Sequence, residues 1–191
     1  MIENGHEQPV SLKELRTKRG GQGFGRPIPP MGKELMKLFV KLAIIILVVV
    51  MLFTFIFGFH RVDEGGMMPA VQDGDLVIFN RFDRNYAIGD LVVLDFEGRR
   101  QVRRVVAHPG DEVNITDEGL LVNGAIQQEH EIYYLTHQFE EGVEFPLSLT
   151  PGQIFVLGDS REQVTDSRIY GPVNISDTHG KVFTVLRRRK F

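Results

Sequence analysis

From Leu38 to Phe59 the chain is apolar apart from Lys41, and positions 42–59 (LAIIILVVVMLFTFIFGF) run for 18 residues without a charge. About 20 such residues cross the hydrocarbon core of a bilayer as a helix. Lys41 can reach the headgroups along its aliphatic stem. A buried core helix is the alternative, but so long a run with no polar face argues against it. It is also too long for the apolar part of a cleaved leader, and no small-x-small cleavage signal follows it. The reading is a single N-terminal transmembrane helix over 36–59. It sets the two flanks in different compartments.

Charge gives the direction. Residues 1–41 hold eight Lys and Arg against four acidic residues, whereas 60–79 hold Arg61 against four acidic residues. The positive-inside rule then predicts a cytoplasmic N-terminus and an extracytoplasmic C-terminal domain, anchored in the cell membrane by one pass. Residues 1–35, with RTKRGGQGFGRPIPP, read as a cytoplasmic tail. Residues 60–191 carry 14 basic and 21 acidic side chains, which argues against nucleic acid as a partner. The Arg187-Arg188-Arg189-Lys190 cluster reads as a solvated tail, with contact to anionic lipid or envelope polymer as the alternative. The chain has no cysteine, so an exported domain must be held by its core. The 132 residues of that region suffice for one.

Past residue 60 the pattern is that of strands. Residues 75–80, 90–96, 100–107, 119–124, 153–157 and 181–186 are short runs enriched in β-branched residues and bounded by Gly, Asp or Pro. Asn123-Gly124 favours a tight hairpin turn. With no long amphipathic helix, the pattern predicts a mainly β domain of antiparallel coiled sheets forming a barrel-like core. Residues from about 125 to 150 read as a small excursion from it. Tyr133, Tyr134, Phe139 and Phe145 there read as packing residues.

Three blocks then occur in order. Gly66-Met-Met-Pro69 with Gly74-Asp75 comes first, Arg103-Arg-Val-Val-Ala-His-Pro-Gly-Asp111 second, and Gly158-Asp-Ser-Arg161 with Asp166-Ser-Arg168 and Gly171 third. Each alone is common turn chemistry. Together, behind a membrane anchor, they resemble the serine, lysine and Gly-Asp-Asn-Arg boxes of the type I signal peptidases (family S26), over roughly residues 38–186. The resemblance implies a signal-peptidase-like β fold and a serine nucleophile activated by a neutral lysine, with no cofactor and no metal.

The catalytic positions depart from that pattern. Gly66 stands where the serine would be and has no side chain with which to attack. Arg103 stands at the lysine position, and a guanidinium does not give up its proton to act as a base. Either loss alone is expected to cost about 10⁶ in rate where the dyad acts as a unit. Glu64 replaces a small hydroxyl residue that often donates to the oxyanion, and Val164 replaces a serine that orients the lysine. The resemblance therefore implies a pseudo-enzyme. Its catalytic positions, Gly66 and Arg103, and its supporting positions, Glu64 and Val164, are all degenerate.

Asp166 and Arg168 match the family's structural ion pair. Gly66, Met67, Met68 and Pro69 fall where the family holds an extended peptide, and so are candidates for a retained peptide groove. Arg103 and Glu64 are expected to pair and fill the vacated pocket. A displaced Ser/His arrangement around Ser160 or Ser167 lacks a Gly-x-Ser-x-Gly elbow. The histidines of residues 60–191 (His60, His108, His130, His137, His179) are not at metal-ligand spacing.

Within the family, the likeness is greatest to inactive signal-peptidase-like proteins of Gram-positive bacteria, notably streptococci. Those act as accessory or chaperone-like factors in sortase-dependent pilus assembly. This implies the membrane, pilin subunits and a sortase as partners, and no small-molecule substrate. An active signal peptidase, and a regulatory binder of a sortase or signal peptidase, are the alternatives.

Overall fold

The computed structural model describes residues 31–128, 132–162 and 164–188. Most of the tail at 1–35, His130, and Arg189 and Lys190 of the basic cluster lie outside the described residues. The chain divides into two units inside its first helix, after Leu47.

That helix, α1, runs from Met31 to Ile56 and is 26 residues long. At 1.5 Å per residue it measures about 39 Å, more than the ~30 Å of hydrocarbon it would have to cross. None of its apolar window is buried against protein. Apolar side chains on every side, exposed along the whole of that window, are what lipid solvates. It fits a membrane anchor.

The apolar run does not all become helix. Its last three residues open strand β1 (Phe57–Arg61), which pairs antiparallel with β2 (Leu76–Asn80) in a register that sets Phe57 opposite Asn80 and Arg61 opposite Leu76. Phe-Gly-Phe is equally apolar as a helical or a strand segment, and the choice falls to strand because Gly58 packs flat on the Phe79 ring. A Cβ on Gly58 would sit 2.1 Å from that ring.

The remaining strands are β3 (Leu91–Phe96), β4 (Arg99–Ala107), β5 (Glu112–Thr116), β6 (Gly119–Val122), β7 (Ala125–Ile126), β8 (Leu147–Ser148), β9 (Gln153–Leu157), β10 (Val173–Asn174) and β11 (Thr178–Leu186). They form a seven-stranded antiparallel sheet in the order β1-β2-β11-β3-β4-β9-β10 and a four-stranded sheet in the order β7-β6-β5-β8. The domain is mainly β, as its runs of Val, Ile and Phe predict. The excursion is larger than 125–150, since the second sheet begins at Glu112. Its Glu112–Thr116 strand alternates buried Val113 and Ile115 with polar neighbours.

Strand β4 ties the core together. Val102 packs with Val62, Met67, Val71, Val77 and Phe79; Val105 packs with Val92, Ile154 and Val156; Val106 and Ala107 pack with the second sheet's Val113, Ile115 and Leu120. A strand in contact with three apolar clusters is buried on both faces. An ionic side chain on it must therefore bring its own partners. Arg103 lies in its middle.

Candidate functional site

Arg103 is fully buried. Its guanidinium faces the Glu64 carboxylate edge-on, with Nη1 2.5 Å from Oε1 and Nη2 3.1 Å from Oε2. Its Nε donates to the Thr165 carbonyl at 2.9 Å, and Nη1 also donates to the Val102 carbonyl at 2.6 Å. The guanidinium is thus held by a two-pronged ion pair and two backbone acceptors, the arrangement that makes a buried arginine tolerable. The Glu64 side chain is 30% exposed and closes the site towards solvent.

Gly66 is buried beside this pair. A Cβ built on it would point at Arg103 Nη1, 3.5 Å away, and would stand 2.7 Å from Val164 Cγ2, closer than real contacts allow. Gly158 meets the same Val164 methyl, at 2.3 Å from an added Cβ, and the Gly66 carbonyl at 2.8 Å. Ser160 N–H donates to that carbonyl at 3.1 Å. Glu64, Gly66, Arg103 and Val164 therefore converge on one point, onto which a side chain at position 66 would project. The point is occupied by an isopropyl group and an ion pair.

Tyr170 completes the wall. Its hydroxyl is buried beside the Arg103 guanidinium without a well-aligned hydrogen bond among the described residues. Burial pushes its phenol well up, against the opposing pull of Arg103, so it stays neutral. His60, also part-buried nearby, has its imidazole pushed below the ordinary value first by desolvation and then by Arg100. If the Glu64–Arg103 contact closes the site, Glu64→Ala and Arg103→Ala are expected to be strongly non-additive, with a coupling of about 1–3 kcal/mol in a denaturant-unfolding cycle. Additive losses would show that the two do not act as a pair.

Beneath the site the scaffold is braced by ion pairs. Arg168 Nε and Nη2 each lie 2.9 Å from the Asp166 carboxylate, and both side chains are almost wholly buried. Asp166 also accepts from the backbone N–H of Gly158 and of Arg168, both at 3.0 Å, capping the short helix α2 (Ser167–Tyr170). Arg168 spends its remaining donors on the carbonyls of His137 (3.0 Å) and Arg161 (2.6 Å) and lies over the Phe139 ring at 4.4 Å.

The sequence reading missed two neighbours in the same block. Asp159 takes Arg104 two-pronged at 2.7 and 2.6 Å, and buried Arg161 donates to Gly158 and Thr136. Their signal was present, since an Arg follows Arg103 and a Gly-Asp-Ser-Arg run supplies the acid. Ser167 is fully buried, and its oxygen accepts from Val156 N–H at 3.1 Å, which is a structural task. The Ser160 hydroxyl is buried without a hydrogen-bond partner among the described residues, so no base is bonded to it there. No group of three His, Asp or Glu side chains converges as a metal site among those residues.

The peptide-groove positions separate. Met67 is fully buried in the core and Gly66 is sealed as described, whereas Met68 and Pro69 face out. With Gly65, Tyr133, Tyr134, Ser160 and Glu162, Met68 and Pro69 line an open concavity of about 530 Å³. Tyr133 and Tyr134 are 81% and 53% exposed, so they line this opening instead of packing. Phe145 does pack, edge-on to Phe155. Adjacent tyrosines in a polar stretch carry no periodicity that would have shown this.

The family model described as signal peptidase, peptidase S26, matches residues 35–186. Signal peptidase I of Bacillus caldolyticus is 34% identical over 151 residues, which cover 71% of this chain and 82% of that protein. Signal peptidase IB of Staphylococcus aureus is 29% identical over 172 residues, covering 80% and 89%. A crystal structure of a signal peptidase I from Enterococcus faecalis aligns with 53% of this chain and 99% of its own, at 25% identity and a TM-score of 0.44.

Proposed function

The chain belongs to the peptidase S26 family of signal peptidases, and from that premise we propose that it is a non-catalytic member, a membrane-anchored accessory or chaperone-like factor for assembly of Gram-positive sortase-dependent pili. The observation that carries the loss of chemistry is the buried Arg103 locked two-pronged onto Glu64 at the spot where the Gly66 position would aim a nucleophile. A guanidinium in that state does not accept a proton, the Val164 methyl stands 2.7 Å from where a Cβ at position 66 would be, and Glu64 brings an anion to a place that would have to stabilise an oxyanion.

The holding role draws on what stays open. Met68, Pro69, Tyr133 and Tyr134 give an apolar and aromatic surface beside the sealed pocket, and such a surface can hold an exported segment without cutting it. The α1 helix would anchor the protein with its N-terminus in the cytoplasm and its β domain outside, where subunits emerge. Pilin subunits and a sortase are the partners this reading names.

Deleting the gene is expected to shorten or abolish the high-molecular-weight ladder of surface polymers, with restoration by the wild type. An unchanged ladder in the deletion strain would end the pilus reading. Association with an active signal peptidase or sortase alone, with no affinity for subunits, would favour a regulator instead.

A further inference from the structure

From Val105 to Ser160, 56 residues pass without a lysine or an arginine, while the same stretch carries ten Asp and Glu. A chain with 22 Lys and Arg in 191 residues would place about six of them in a stretch of that length. This stretch builds the whole second sheet, β5 to β8. The sheet and its connections therefore form a lobe of one charge sign, with Glu112, Asp117, Glu118, Glu140, Glu141 and Glu144 exposed on it.

On this lobe three consecutive apolar side chains face outward. Tyr133, Tyr134 and Leu135 are 81%, 53% and 59% exposed, and the next residue, Thr136, is buried, where its hydroxyl accepts from Arg161. The triplet is thus pinned at one end and sits between two acidic edges. On one side Tyr133 and Tyr134 share the open concavity with Glu162. On the other, Leu135 Cδ2 lies 4.0 Å from the place of a Cβ on Gly119, and Asp117 and Glu118 form the turn that leads into that glycine. Asp117, Glu118 and Glu162 have no Lys or Arg partner among the described residues. Exposed aromatic and aliphatic side chains mark a contact surface, and the charge around them selects the partner. Carboxylates without counter-charges draw cations, and the faces of tyrosine rings attract lysine and arginine as well. The same field repels an anionic bilayer and nucleic acid.

We propose that this patch docks a protein segment that carries lysine or arginine beside an apolar side chain. Tyr133, Tyr134 and Leu135 take the apolar group, while Glu162 on one edge and Asp117 with Glu118 on the other take the cations. The proposal rests on the holding role given above and names the chemistry of what is held, a basic segment in preference to an acidic one.

Two fluorescent peptides test it, one of Lys-Ser-Tyr-Ser repeats and one of Glu-Ser-Tyr-Ser repeats, titrated with the full chain in an uncharged detergent and followed by anisotropy. The lysine peptide is expected to bind at least about tenfold more tightly, and to lose that margin as salt rises from about 0.05 to about 0.5 M. Tyr133→Ala with Tyr134→Ala should weaken it by about tenfold, as truncating aromatic anchors does, whereas Tyr133→Phe with Tyr134→Phe should keep the binding. Glu118→Gln with Glu162→Gln should narrow the gap between the two peptides. Equal affinity for the two peptides, or an undiminished affinity in the double alanine variant, would overturn the proposal. Salt-sensitive dimers of the full chain that vanish in the double alanine variant would overturn it too, because the patch would then belong to a second copy. The peptides are not pilin sequences, so a failure here leaves the holding role to the deletion strain, and an unchanged polymer ladder there leaves the peptide preference standing.

Discussion

Replacing Asp166 with alanine is expected to cost about 3–5 kcal/mol of stability, the range for leaving one member of a buried ion pair without its partner. The size follows from what Asp166 does. Its two oxygens take Arg168 Nε and Nη2, the Arg168 amide and the Gly158 amide, so one truncation strands a charge and two backbone donors where side chains are 0–1% exposed. For a domain of this size each kcal/mol shifts the midpoint by about 3–5 °C, so thermal unfolding of the full chain in detergent should fall by roughly 10–20 °C. Asp166→Ala combined with Arg168→Met should recover part of the loss, because an apolar side chain of similar length removes the stranded charge. A loss below about 1 kcal/mol for Asp166→Ala would show that the pair does not brace the site.

The second large effect concerns chemistry. Gly66→Ser with Arg103→Lys writes the family dyad back into the sequence, yet that double variant is expected to remain silent. The serine's Cβ would be forced against Val164 Cγ2 at 2.7 Å. The new lysine would face Glu64, and an adjacent carboxylate keeps an amine protonated when the reaction needs it neutral. Adding Glu64→Ser and Val164→Ser clears the methyl group, removes the anion and returns two hydroxyls. The fourfold variant should therefore cleave a preprotein faster than the double variant. Losing one oxyanion donor costs about 10²- to 10³-fold, which sets the scale of what Glu64 alone withholds. Cleavage by the double variant equal to that of the fourfold one would show that Glu64 and Val164 are bystanders.

Much of this could be read before any coordinates. The N-terminal apolar helix and most strands of the main sheet are written in local pattern, because a helix-long apolar run, β-branched runs and turn residues act at short range. The Asn123-Gly124 turn forms with both residues at positive φ, as that pair predicts. The errors lie where local pattern is silent. Phe57 to Phe59 suit a membrane helix as well as a strand, and only pairing with β2 decides. Met67 and Met68 are the same residue type side by side, one fully buried and one half exposed, because the chain turns there. Tyr133 and Tyr134 face the open concavity for reasons set by residues far away in sequence. The short strands β8 and β10, two residues each, have too little sequence to carry any signal.

The convergence of these four positions is a tertiary fact. Residues 64 and 66 enter from the loop after β1, residue 103 from the middle of β4, and residue 164 from the segment before α2. Their meeting makes one filled pocket out of four positions far apart in sequence.

The most direct test is to incubate the full-length wild-type protein, in detergent or in liposomes, with a preprotein that an active signal peptidase cleaves alongside it under the same conditions. The account predicts no cleavage above the enzyme-free rate over the time in which the control goes to completion. Cleavage at the preprotein's signal site that is lost on unfolding the protein would contradict it.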